Sequence, residues 1–410
     1  MIVRRIMYKV KLCLVLLCVT LTTVMIYVGF VLPSSLGGVL TMNKSVKPLR
    51  RLVSFAAMPS ALTEYDHQQL HASALLNGIG PKLKFLPRYR PSMQLKPPTT
   101  LSNRIHIGPP PNDFKFAMNS TDVLVFLHIQ KTGGTEFGKH LVKDLVLERP
   151  CFCPKGQKVC DCFRPNSDDK SWLFSRFSTG WRCGLHAGWT ELTSCVDDVM
   201  NKLEHSSEHR RYFYVTMLRE PVLRYISEFR HVQRGATWAG ATLRCNGHSP
   251  TAEELPPCYA TDTWQNVTLD AFLACESNLA ANRQTRMLAD LRRVDCYDAS
   301  SMPAERRDAE MLASARRNLR DLAFFALVEH QELSQFLFEQ TFALRFRQSF
   351  QPADSSRSSN TQLTEEQRHL VGERNRLDVQ LYRYAEELFF ERLNRTVEQY
   401  PEKFAAFIKT

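Results

Sequence analysis

The 410-residue chain reads as an α/β protein with a central, mostly parallel sheet flanked by helices. Three observations carry that reading. Apolar β-type runs recur at 122–129 (DVLVFLHI), 211–218 (RYFYVTML) and 322–329 (LAFFALVE). Stretches with helical spacing lie between and after them, at 135–147, 221–233, 270–290, 305–320, 331–341 and 364–393. The first run ends in a short, basic, glycine-rich loop, HIQKTGGT, and a strand–loop–helix of this kind cradles anions.

Taken in order, residues 1–11 carry Arg4, Arg5, Lys9 and Lys11, and residues 12–32 carry no charge. At about 1.5 Å per residue that run spans a bilayer core of roughly 30 Å. The positive-inside rule leaves 1–11 in the cytosol and the rest on the far side, as a single-pass type II membrane protein. A cleaved signal peptide is the competing reading, but the run is long for one and no clear cleavage site follows. Residues 33–115, with KPPTT and GPPPND, read as a stem, and the folded domain is expected over 116–400. Just before and within 364–393, Leu363, Leu370, Leu377, Tyr384 and Leu388 stand in near-heptad positions. A short coiled coil and packing on the sheet both fit them.

Of the 12 cysteines, Cys13 and Cys18 lie in the apolar run. The other ten follow it, an even number that suggests disulfides in an oxidising lumen. Cys151, Cys153, Cys160 and Cys162 form a C-x-C-x6-C-x-C cluster, for which zinc is the alternative. Asn43, Asn119, Asn266 and Asn394 head glycosylation sequons. The net charge is +11. In a lumen this excludes genomic nucleic acid and leaves a nucleotide-like cofactor, acidic glycans or acidic lipid as anionic partners.

In the loop, Gly133 and Gly134 allow close backbone approach, Lys131 and Thr132 add a cation and a hydroxyl, and the following helix supplies free N–H groups. Lys131 precedes the glycines, so this is not the GxxxxGK[ST] loop of ATP and GTP enzymes. A plain packing turn is the alternative. The second run leads into Arg219-Glu220-Pro221, with Pro221 suited to a first helical turn. Arg224, Ser227 and His231 share one face of that helix. An arginine at a strand end with a helix-borne serine can hold a second phosphate, although Arg219 also fits a structural ion pair. Two phosphate sites at the ends of parallel strands suit a nucleoside with phosphates at both ends.

HIQKTGGT, PCFCPKGQKVCDCFRPN, WLFSRFSTGWRCGLHAGWTEL, LREPVLRYISEFRHVQRGATW, ELPPCY, NLAANRQTRMLADL and NLRDLAFFALVEHQE together resemble the heparan sulfate 6-O-sulfotransferases, over about residues 118–395. The resemblance implies a P-loop-like sulfotransferase fold and a Golgi type II membrane enzyme with a luminal catalytic domain. It further implies transfer of a sulfuryl group from PAPS, leaving PAP, to the 6-hydroxyl of glucosamine in heparan sulfate, without a metal. Carried over by motif, His128, Ile129, Gln130, Lys131, Thr132, Gly133, Gly134, Thr135 and Glu136 form the 5′-phosphosulfate loop. Arg219 and Ser227 take the 3′-phosphate, and Arg357 and Ser358 align with a later cofactor-contacting loop. His186 matches the catalytic base. Lys158, Arg176, Trp181, His186, His231 and Trp238 match glycan-contacting positions.

Three departures stand out. Glu136 replaces a small hydroxyl residue, and its carboxylate would repel the cofactor unless it points outward. Val159 replaces a lysine found in some members, and the chain ends soon after its last helix, without the long charged tail of others.

A sugar hydroxyl needs a base, and a histidine of pKa near 6.5 suits that role. His186 sits among Gly180, Gly184 and Gly188, flanked by Trp181 and Trp189, in a segment able to approach and stack on a sugar. From residue type alone, His128 and His231 compete with it. Lys131 and the loop N–H groups are placed to stabilise charge in an in-line displacement. Lys158, Arg176 and Arg182 would pair with acidic groups of the acceptor. The alternatives are a heparan-binding membrane protein with weak or lost catalysis, a sulfotransferase of other regiochemistry, and a luminal nucleotide-dependent kinase.

Overall fold

A computed structural model describes residues 115–350 and 363–409. The expected membrane span at 12–32, nearly all of the stem, Asn43, Arg357 and Ser358 lie outside the described residues. Among the described residues, no helix is long and apolar enough to cross a membrane.

Four parallel strands form the sheet: β1 (Asp122–Leu127), β2 (Leu173–Phe174), β3 (Arg211–Leu218) and β4 (Phe324–Leu327), in the order β2-β1-β3-β4. All six residues of β1 are buried, as a parallel strand covered on both faces requires. Asp122 is buried at the start of β1 and takes both arms of Arg211, at 2.7 Å each, which locks β1 to β3. Register places Leu127 beside Thr216, so the loops after β1 and β3 leave the same edge of the sheet side by side. β2 has two residues, too few to show as an apolar run.

The helices are α1 (Gly134–Lys143), α2 (Trp189–Leu203), α3 (Pro221–Gln233), α4 (Leu269–Ala274), α5 (Arg283–Leu288), α6 (Ala304–Asp321), α7 (Gln331–Phe342), α8 (Glu365–Arg374), α9 (Arg376–Gln399) and α10 (Pro401–Phe407). α3, α6 and α7 agree with the spacing to within a residue or so, and α1 stops at Lys143, short of residue 147. The sequence reading places no helix over α2, although Leu192, Val196 and Met200 stand at helical spacing and are buried.

Two expected helices are broken, and one pair of asparagines joins the two breaks. The stretch 270–290 divides into α4 and α5. α4 ends at Cys275, which is bonded to Cys258, and Asn282 adopts a left-handed φ of 48° before α5. The stretch 364–393 divides at Asn375, whose side chain donates to the Val371 carbonyl and accepts from the Asn282 N–H. In return the Asn282 side chain accepts from the N–H groups of Leu377 and Asp378. The amide oxygens take up N–H groups that a continuous helix would have paired. The near-heptad positions do not form a coiled-coil seam: Leu377 and Leu388 are buried in the main core with Phe389, while Leu370 is 47% exposed.

All ten cysteines beyond the apolar run are paired: Cys151–Cys162, Cys153–Cys160, Cys183–Cys195, Cys245–Cys296 and Cys258–Cys275. The zinc alternative for the Cys151–Cys162 cluster falls with this pairing. Asn119, Asn266 and Asn394 are exposed, the last of them within α9.

Candidate active site

The loop after β1 turns on two left-handed residues, Lys131 (φ 66°) and Gly133 (φ 72°). Gly134 opens α1 against the ring of His128, where an added Cβ would stand 2.6 Å from the imidazole Cδ2. No side chain caps α1, so its first N–H groups are presented to an anion. Burial lowers the Lys131 pKa, and Arg234, Arg219 and Arg224 depress it further against the opposing pull of Glu228. Cations gathered this way at an uncapped helix start are what a polyanion would neutralise. From the adjacent strand, Arg219 reaches back and donates to the Lys131 carbonyl at 3.4 Å, joining the two loops into one cradle.

Beside the cradle, His186 adopts φ 54°, and its Nδ1 lies 2.9 Å from the His128 carbonyl oxygen. A carbonyl only accepts, so Nδ1 carries the proton and Nε2 keeps its lone pair. Burial pushes the His186 pKa down to about 4, outweighing the bond to His128, with Arg283 and Arg176 adding to the fall. The unperturbed value expected from sequence is therefore corrected: this imidazole is neutral well below pH 6.5. Rings stand in series around it, with Trp181 4.6 Å from His186, His186 5.3 Å from Trp238, and Trp238 5.5 Å from His231. A cavity of about 90 Å³ beside His186 is lined by Gln130, Trp238, Arg283 and Leu279 among others.

Residues 114–385 match the Sulfotransferase family. The chain is 53% identical over 280 residues to Heparan-sulfate 6-O-sulfotransferase 3-B of Danio rerio, covering 68% of this chain and 67% of that protein. It is 54% identical over 278 residues to Heparan-sulfate 6-O-sulfotransferase 1-B of Danio rerio, covering 68% of each. It is 52% identical over 280 residues to Heparan-sulfate 6-O-sulfotransferase 1 of Homo sapiens, again covering 68% of each. The chain belongs to this family of sulfotransferases.

In this sulfotransferase the residues expected from sequence divide between the cradle and a glycan side. Lys131, Gly133, Gly134 and Thr135 line the cradle, while the Thr132 hydroxyl is committed to the Ile129 carbonyl at 3.0 Å. Ile129 and the His128 ring are buried, and His128 contributes its carbonyl to His186. The Glu136 carboxylate is exposed and pairs with Lys139 at 2.8 Å, so it points outward along the helix. Arg219 meets the cradle, and Ser227 is buried on α3.

On the glycan side, the Arg176 guanidinium lies 5.5 Å from the Trp181 ring and donates to Thr135 Oγ1 at 3.4 Å. Lys158 is exposed on the Cys153–Cys160 loop, which is tied to the 176–181 turn by the Cys160 N–H to Phe177 carbonyl bond of 2.7 Å. One expectation fails: Trp189 is buried against Tyr214 at 5.2 Å and does not face a sugar. Arg224, on the same helix face as Ser227 and His231, is wholly buried.

Arg224 instead pairs with Glu228 at 2.5 Å, and Glu228 also holds Arg283 through Nε at 2.8 Å and accepts from Trp238 Nε1 at 3.0 Å. Burial raises the Glu228 pKa, but Arg283 and Arg224 outweigh it and hold the carboxyl at about 2. This buried hub fixes Trp238 beside the imidazole. The i, i+4 spacing of Arg224 and Glu228 hints at half of it, but nothing local points to Arg283 or Trp238. Glu191 is a second such anchor: it accepts from the Gly188 N–H, the Thr242 hydroxyl and the Arg244 N–H, pinning the 242–244 turn to the start of α2. Among the described residues, no group of three or more His, Cys, Asp or Glu could hold a metal ion.

Proposed function

We propose that this sulfotransferase moves a sulfuryl group from PAPS to the 6-hydroxyl of glucosamine residues in heparan sulfate by in-line displacement, with His186 as the base. The observation that carries the proposal is the pinning of His186 Nδ1 to the carbonyl of His128, the residue that opens the anion loop. It aims a lone pair, on a neutral imidazole, beside the cradle. The names of the relatives support the acceptor and its 6-O position.

The residues fit the donor. The uncapped start of α1 and Lys131 suit its 5′-phosphosulfate, and Arg219 with Ser227 suits its 3′-phosphate; Arg357 and Ser358 join them by resemblance. When bound, PAPS supplies the activated sulfuryl group. His186 takes the acceptor's proton at Nε2, Lys131 opposes the negative charge that develops on oxygen, and the Trp181 and Trp238 faces seat the sugar. His231, Arg176 and Lys158 extend the seat with groups that suit carboxylates and sulfates. The outward-pointing Glu136 removes the reason to prefer a heparan-binding protein without catalysis. The uncharged run at 12–32, the five disulfides and the exposed sequons support a Golgi enzyme anchored by one N-terminal span, with a luminal catalytic domain.

The test incubates detergent-solubilised full-length protein with PAPS and heparan sulfate and profiles the disaccharides. New 6-O-sulfated glucosamine is expected. Product sulfated only at 2-O would overturn the regiochemistry, and wild-type turnover in His186→Ala would overturn the base.

A further inference from the structure

Arg219 stands just beyond the sheet. The last pairs of β3 are Thr216 with Leu127 on one side and Leu218 with Leu327 on the other. The side-chain amide of Gln284, buried at the start of α5, meets the Arg219 backbone where strand pairing has stopped. The Arg219 N–H donates to Gln284 Oε1 at 2.9 Å, and Gln284 Nε2 donates to the Arg219 carbonyl at 2.9 Å. The two bonds fix which end of the amide is oxygen, because only one orientation satisfies both. The amide acts as one further rung of the ladder, supplied from a distant helix.

Gln284 is itself held. Its N–H donates to Asp378 Oδ2 at 3.1 Å, and the Thr285 N–H and hydroxyl donate to Asp378 Oδ1 at 2.7 and 2.8 Å. The next residue along, Glu220, donates its N–H to Glu329 Oε1 at 2.8 Å. The backbone that launches the Arg219 side chain is thus fixed from two directions. The preceding residue, Arg283, reaches the other half of the site through Glu228 and Trp238.

We propose that Gln284 is a positioning residue of the donor site: its two-point clamp on the Arg219 backbone aims that guanidinium at the donor's 3′-phosphate, and the short α5 turn registers the donor half against the glycan half. The assignment rests on the reading of Arg219 as the 3′-phosphate ligand. Gln284 touches no substrate; it acts through Arg219. A merely structural Gln284 would weaken all ligands together. A positioning Gln284 weakens only what depends on the 3′-phosphate.

The readout is the preference of the full-length protein for PAP over 5′-AMP, which differ by that phosphate, measured by calorimetry. In Gln284→Met, which keeps the volume and removes both bonds, the preference is expected to fall about tenfold or more, the size of a charge-assisted contact. Binding of 5′-AMP is expected to hold. Adding Gln284→Met to Arg219→Ala should cost nothing further, because the two act through one contact. If Gln284→Met does not accumulate as folded protein, Gln284→Glu is measured in the same way. It keeps the acceptor for the Arg219 N–H but sets a carboxylate oxygen against the Arg219 carbonyl, and the preference should again fall. An unchanged preference in the folded variant, or fully additive losses in the double variant, overturns the clamp. A wild-type protein with no preference for PAP overturns instead the assignment of Arg219, which separates the two failures.

Discussion

Acidification tests the His186 geometry most directly, because its structural and catalytic consequences share one cause. The imidazole is enclosed by His128, Trp181 and Trp238 and faces the cations Arg283 and Arg176, with Glu228 opposing them. These surroundings lower its pKa to about 4. An unfolded histidine titrates near 6.5, so between those values the unfolded chain binds the extra proton and the folded one does not. Stability therefore rises with pH across the window and is lost on acidification. At roughly 1.36 kcal/mol for each tenfold change in proton affinity, the loss is about 3 kcal/mol once the pH has fallen below 4. His128, also buried with a lowered pKa, adds a loss of the same sign. For catalysis, a pKa of about 4 leaves only about 1% of the base protonated at pH 6, against about three-quarters at a pKa of 6.5. The assays are kcat/KM against pH, which reports the free enzyme, and unfolding of wild type and His186→Ala between pH 4 and 7. The acid limb of kcat/KM is expected well below pH 6, and the variant should lose less stability than wild type on acidification. An acid limb centred near 6.5, or parallel stability curves for the two proteins, would refute the burial argument.

Other consequences are as direct. Glu228→Ala leaves Arg224 and Arg283 buried without their carboxylate and is expected to cost about 3–5 kcal/mol in denaturant unfolding; Glu228→Gln, which keeps the acceptor for Trp238, should cost less. Gly134→Ala drives a methyl group into the His128 ring, and should lower stability by about 1–3 kcal/mol and weaken PAP binding in a thermal-shift titration. Lys131→Ala is expected to reduce kcat by about 10²–10³, with the variant's melting temperature as the check on folding. Glu136→Ser should leave PAP affinity unchanged and stability within about 0.5 kcal/mol, since its carboxylate points to Lys139; a clear gain in PAP affinity would show that the carboxylate does face the donor.

What the sequence by itself determined were features written in consecutive residues. The apolar run that follows Asp122 in β1, the glycine-rich loop after it, and Pro221 opening α3 behind an arginine each carry their meaning locally, because period, φ preference and charge are properties of neighbours along the chain. The disulfide-bonded state was legible too, although the pairing was not. The tertiary structure decided which distant groups meet. Glu228 and Arg283 are 55 residues apart, Gln284 and Arg219 are 65, and Thr285 and Asp378 are 93; the first and last meet as buried polar pairs and the second as a part-buried one. No local pattern records these distant partners, since a lone polar residue reads alike whether it faces solvent or a partner. The same holds for the helix boundaries at Asn282 and Asn375, where each side-chain amide accepts backbone N–H groups from the other, distant segment. It holds also for His186. Its place in the chain gave the residue type, but its low pKa and its tautomer come from rings and a carbonyl that only the folded chain assembles around it.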